Sequence, residues 1–198
     1  MKFLSIFLLI FATSCVETVI VGSVGGAVVA TREKTLQNMR TDLSIFVTLE
    51  ADFITHKLKL PDNYIDCMVN EGRVLLVGNV NEEEKSKLAE ELTWKALGVK
   101  EVMNEIKISE EKLSARKIMR LLGDYLVTAA VETKLLLARD VVWPNYKITT
   151  IAGTVYLLGI AQNDFEMQRV LTVVSKIRGV ESVVNHVMLK DDERRQRG

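Results

Sequence analysis

The sequence predicts an α+β protein made of two tandem α-β-β-α-β modules, each a three-stranded mixed sheet with two helices on one face. Three observations carry this. A shift of 81 residues lays Gly72 on Gly153, Val74 on Val155, Leu76 on Leu157 and Gly78 on Gly159, then Lys95 on Lys176, Gly98 on Gly179, Val102 on Val183 and Asn104 on Asn185, with no gap. These are turn and core positions, so the repeat is structural. Each copy passes through helical, alternating, alternating, helical and again alternating apolar spacing in one order. Finally, the second strand of each copy is an almost unbroken apolar run, as expected of the central strand of a small sheet.

The chain has 198 residues, of which 48% are apolar, enough for a core. Its 26 basic residues balance its 26 acidic ones, which argues against nucleic acid as a partner met through bulk charge.

At the start, Lys2 precedes residues 3–11, apolar except for Ser5. That run is too short for a bilayer, which needs about 20 residues, and has the length of a signal-peptide core. Residues 1–14 are therefore expected to be a signal peptide. The following Ala12-Thr13-Ser14-Cys15 resembles the lipobox of bacterial lipoproteins, with Ala12 where Leu is usual. On that resemblance Cys15 is the lipid-attachment site and carries two acyl chains, which anchor durably; the alternative is ordinary cleavage with Cys15 a bystander. Val16, not an aspartate, comes next; by analogy with enteric lipoproteins, that implies an outer-membrane address facing the periplasm. Residues 15–41 are expected to form a tether. Within it residues 19–30 are apolar but contain Gly22, Gly25 and Gly26, too short and flexible for a second span. Cys67 is the other cysteine, so no internal disulfide is expected and the thiol should pack as a small apolar group.

The modules are expected at residues 42–108 and 124–190, joined by a charged linker, 109–123, and followed by a charged tail, 191–198. Asp42 or Asp124 is placed to N-cap the opening helix, and in the second copy Val127, Val131, Leu135 and Ala138 recur at helical spacing. The next strand alternates Ile65/Cys67/Val69 or Tyr146/Ile148/Thr150 and turns at Gly72 or Gly153, where a positive φ is cheap. The second strand covers 74–80 or 155–161. Asn81 with Glu84, and Asn163 with Glu166, have capping-box spacing at the start of the second helix, which stops at Gly98 or Gly179. The last strand, 101–108 or 182–189, follows a crossover helix and should lie parallel to the second strand.

This element order, with Val-x-Leu-x-Gly in the second strand and Gly-Val-x-x-Val-x-Asn entering the third, resembles the BON domain. Two such domains behind a lipobox resemble the dual-BON outer-membrane lipoproteins over nearly the whole mature chain.

No catalytic constellation can be assembled. His56 and His186 occupy non-equivalent repeat positions without a Cys or carboxylate at ligand spacing, and are read as lone surface residues. The run Glu82-Glu83-Glu84 suits a helix N-terminus and needs no metal. No enzyme activity, metal, cofactor or small-molecule substrate is expected.

The two copies differ in charge: residues 42–108 are acidic, whereas linker and second copy are mildly basic, with Lys112, Arg116, Lys117 and Arg120 leading into the helix at 124–139. That helix has two apolar stripes. Val127, Val131, Leu135 and Ala138 should pack on the sheet. Leu126, Ala130, Thr133 and Leu137, flanked by Ala129 and Leu136, either face solvent or a partner, or dock on the first copy. In the dual-BON lipoproteins the corresponding helix is associated with anionic phospholipid. The resemblance therefore implies that Leu126, Ala129, Thr133, Leu136 and Leu137 enter the headgroup boundary while Lys134, Arg139 and the linker cations meet lipid charge. A Trp of those proteins is replaced by Leu126, with Tyr125 and Trp143 as candidate substitutes. BON domains also occur in secretin-like and osmotic-stress proteins, so a protein or cell-wall partner in the envelope is the alternative to a membrane.

Overall fold

Where two extended segments meet at a two-residue turn, the pairing that follows is set by the turn, and here two such hairpins organise the molecule. In the computed structural model, residues 36–60, 62–110 and 114–195 are described, all within the compact unit Arg32–Gly198. The expected signal peptide, Cys15 and the tether up to residue 35 lie outside the described residues.

The first module comprises α1 (Leu36–Thr55), β1 (Lys59–Leu60), β2 (Asn63–Asn70), β3 (Arg73–Val80), α2 (Glu83–Lys95) and β4 (Glu101–Ile108). The second comprises α3 (Ala115–Leu137), β5 (Tyr146–Ile151), β6 (Thr154–Ala161), α4 (Asp164–Ser175) and β7 (Ser182–Leu189). Sheet orders are β1-β2-β3-β4 and β5-β6-β7, antiparallel at each hairpin and parallel across each crossover. The architecture is thus the expected α+β pair, with one addition: the two-residue β1 adds an edge strand to the first sheet, where the second module has the 3-10 turn Trp143–Asn145.

The hairpin turns show why Asp42 and Asp124 are not helix caps. Both lie inside their helices, since α1 starts at Leu36 and α3 at Ala115. Each buried carboxylate instead reaches a turn. Asp42 accepts from the Glu71 and Gly72 N–H groups at 2.9 and 2.8 Å, and Asp124 from those of Ala152 and Gly153 at 2.8 and 2.9 Å. Both central residues of each turn have positive φ, 55° and 79° in one, 49° and 73° in the other. That is the geometry whose twist matches a two-residue hairpin.

The other helix signals fared unevenly. Asn163 Oδ1 accepts from the Glu166 N–H at 3.0 Å, but Glu166 does not close the box: its buried carboxylate accepts from Gln162 and Val142 N–H, both at 2.7 Å. In the first copy the cap position is Glu82, whose side chain makes no bond to the N–H groups of the first turn. Gly98 and Gly179 stand beyond the C-caps Ala96 and Lys176, in the turns leading to the last strands.

Alternate residues of the central strands enter different cores. Val74, Leu76 and Val80 pack under α1 and α2 with Ile45, Leu49 and Phe53, and Val155, Leu157 and Ala161 pack under α3 and α4 with Val131, Leu135, Val170 and Val174. The intervening Leu75 and Val77 meet Tyr156 and Leu158, together with Met68, in a third core. The two sheets therefore pack face to face through the surfaces their helices leave open. Repeat-equivalent residues meet there, Leu75 with Tyr156 and Val77 with Leu158 in one cluster. Glu105 and His186, 81 positions apart, face each other with Oε1 and Nε2 at 2.9 Å. Arg73 donates to Glu101 at 2.6 Å and to the His186 carbonyl at 3.1 Å. The tail joins in, Arg195 donating twice to Glu71 at 2.9 and 3.0 Å. His186 is therefore not a lone surface residue, and part of the charge difference between the copies is used between them.

Candidate functional site

Helix α3 begins at the Ser114 cap, whose Oγ accepts from the Lys117 N–H at 3.2 Å, and continues for about six turns to Leu137. Its inward side buries Lys117, Asp124, Val131 and Leu135, with Val127 half-buried against the same core. Thr128 adds a hydroxyl contact to Thr150 at 2.8 Å. Burial of Lys117 removes it from the cations expected to face a partner. Lys112 lies outside the described residues.

The opposite side is the second stripe, and the first module does not cover it. Leu126, Leu136 and Leu137 are 66%, 56% and 74% exposed. Ala129 and Ala130 are half-buried between them, and Thr133 is exposed with its hydroxyl turned back to the Ala129 carbonyl at 2.8 Å, which removes it from the polar surface. The stripe continues toward the N-terminus through exposed Ile118, Met119 and Leu122, with Tyr125 at its edge. Ile118, Met119 and Leu122 belong to the stretch expected as linker; their helical spacing behind Ser114 is the signal that could have found them. Arg116, Lys134 and Arg139 are exposed along the same helix and its exit. Glu132 is the one acid of α3 not turned inward, and partial burial pushes its carboxyl up, opposed by Lys147. Of the aromatic substitutes, Tyr125 is exposed and Trp143 is 38% exposed; Phe165 on α4, which sequence reasoning passed over, is 68% exposed.

Elsewhere the chemistry is structural. Burial pushes the Cys67 thiol far up, so it stays protonated, with Sγ 3.9 Å from a Glu50 carboxylate oxygen. His56 Nδ1 lies 2.8 Å from the Asp52 carbonyl. Among the described residues, no three His, Cys, Asp or Glu side chains gather to hold a metal, and no helix is long and apolar enough to cross a membrane.

A family model described as the BON domain matches residues 51–110 and 124–191. The chain is 30% identical over 155 residues to the uncharacterized protein in the gshII 5′ region of Anaplasma centrale, covering 78% of this chain and 99% of that one. It is 29% identical over 175 residues to the outer membrane lipoprotein DolP of Haemophilus influenzae, covering 88% of each. The 21 kDa hemolysin of Actinobacillus pleuropneumoniae is 31% identical over 120 residues, 61% of this chain and 59% of that one.

Proposed function

This chain belongs to the BON-domain family, and from that premise we propose that it is a non-catalytic outer-membrane lipoprotein, anchored through Cys15 and facing the periplasm, that binds anionic phospholipid through α3 and supports envelope integrity. The single observation that carries the reading is the exposed apolar stripe along α3, with Leu126, Leu136 and Leu137 open to solvent and Lys134 and Arg139 beside it. An amphipathic helix of this kind lies in the headgroup plane, its apolar face in the acyl boundary and its cations against lipid phosphate. Likeness to an outer membrane lipoprotein along 88% of the chain supports the address, as does the lipobox-like sequence before Cys15.

The test uses the mature chain from residue 15 with Cys15→Ser, so that acylation does not contribute. Replacing both Leu136 and Leu137 with Glu is expected to lower binding to phosphatidylglycerol or cardiolipin vesicles by at least tenfold, with the melting temperature unchanged because both side chains are exposed. Undiminished binding by the folded variant would refute the lipid reading. Docking to an envelope protein is the second reading, favoured by exposed Leu43, Val47 and Ile54 on α1. Cross-linking that survives the Leu136/Leu137 change but not Val47→Glu would select it.

A further inference from the structure

Beside the exit of α3 there is a shallow groove of about 280 Å³ lined by Asp140, Phe165, Gln168, Arg169 and Thr172. The last four lie on one side of α4, at the three- and four-residue spacing that stacks side chains along a helix. Asp140 follows directly on Arg139 at the end of the apolar stripe. Resting on the lipid reading of α3, we infer that this groove is a headgroup subsite for a phospholipid whose phosphodiester bears a hydroxyl-rich substituent.

The chemistry divides among the five side chains. Arg169 is exposed and forms no ion pair among the described residues, so its guanidinium is open to grip two phosphate oxygens at once. Phe165, one helical turn earlier and 68% exposed, suits the boundary between headgroup and acyl chain, where aromatic rings concentrate. It also stands in for the aromatic missing at Leu126. Gln168 and Thr172 offer an amide and a hydroxyl, and Asp140 a carboxylate, which accepts from headgroup hydroxyls and repels a headgroup that carries its own carboxylate.

The repeat supplies an internal comparison. In the first copy the positions of Phe165, Gln168, Arg169 and Thr172 are held by Glu84, Lys87, Leu88 and Glu91. Glu84 and Glu91 are exposed, and Lys87 is paired with Glu83 at 2.8 Å. On the same scaffold, then, the first copy presents acid where the second presents an aromatic ring and an unpaired cation. A feature demanded by the fold would be common to both copies.

The experiment measures co-sedimentation of the Cys15→Ser mature chain with phosphatidylcholine vesicles that carry phosphatidylglycerol or, at equal mole fraction, phosphatidylserine. The parent chain is expected to prefer phosphatidylglycerol several-fold. Arg169→Gln is expected to lower binding by about fivefold or more and to abolish the preference, whereas Lys176→Gln, the same charge change further along the helix, leaves the preference intact. Equal binding of both lipids by the parent, or equal effects of the two substitutions, would overturn the subsite while leaving the α3 reading standing. Loss of vesicle binding in millimolar glycerol phosphate would also overturn it, by assigning the groove to a soluble phosphate ester. Insensitivity to the Leu136/Leu137 change would bring down both readings together.

Discussion

Asp124 and Asp42 each hold a hairpin turn from a helix that begins well before them, and the arrangement answers a local cost. Ala152 and Glu71 sit at positive φ without being glycine, which disfavours each by roughly 1–2 kcal/mol. Two charge-assisted bonds to the turn N–H groups offset this, since hydrogen bonds to charged groups are worth roughly 1.5–3 kcal/mol each. Asp124→Ala is therefore expected to lower stability by about 2–4 kcal/mol in urea unfolding, and Asp124→Asn by less, because its single amide oxygen still satisfies one of the two donors. A loss below about 0.5 kcal/mol for the alanine variant would count against the clamp. The role was not legible beforehand because a buried aspartate at a helix start and one that crosses to a turn about thirty residues away look alike in sequence.

At the scale of elements, α3 decides what the molecule can touch. Its first turns project Ile118, Met119 and Leu122 into solvent, while the Ser114 cap and the buried Lys117 side chain hold the end of the helix. Ser114→Ala should cost about 1 kcal/mol and appear as faster amide exchange at residues 117–120, with the amides near Val131 unchanged. Uniform protection along the helix would mean that tertiary packing, not the cap, holds that end. The strands were read closely: β4 and β7 fall at the expected residues, because alternation with turn residues at both ends leaves little freedom. The helix starts were read poorly. The repeat comparison stops where the copies stop resembling each other, so residues 115–123 read as linker although their apolar spacing is already helical.

For the whole molecule, the informative residues are those of β3 and β6. Their unbroken apolar runs mark central strands, as expected, yet with helices on one face alone, half of those side chains would face water. Leu75, Val77, Tyr156 and Leu158 were signs of a second buried face, supplied by the sister sheet. Residues 36–110 expressed alone should therefore self-associate in sedimentation experiments, and Leu75→Asp should suppress this. A monomer that melts like the intact chain would mean that the sheet-to-sheet core contributes little. The encounter of Glu105 with His186 has a consequence for assembly. These two residues hold the same position in the repeat, so two identical modules meeting through this contact would set like against like at that spot. Two unlike copies in one chain can place a carboxylate against an imidazole there, which makes the pairing of each module with its neighbour more specific than pairing with a second copy of itself.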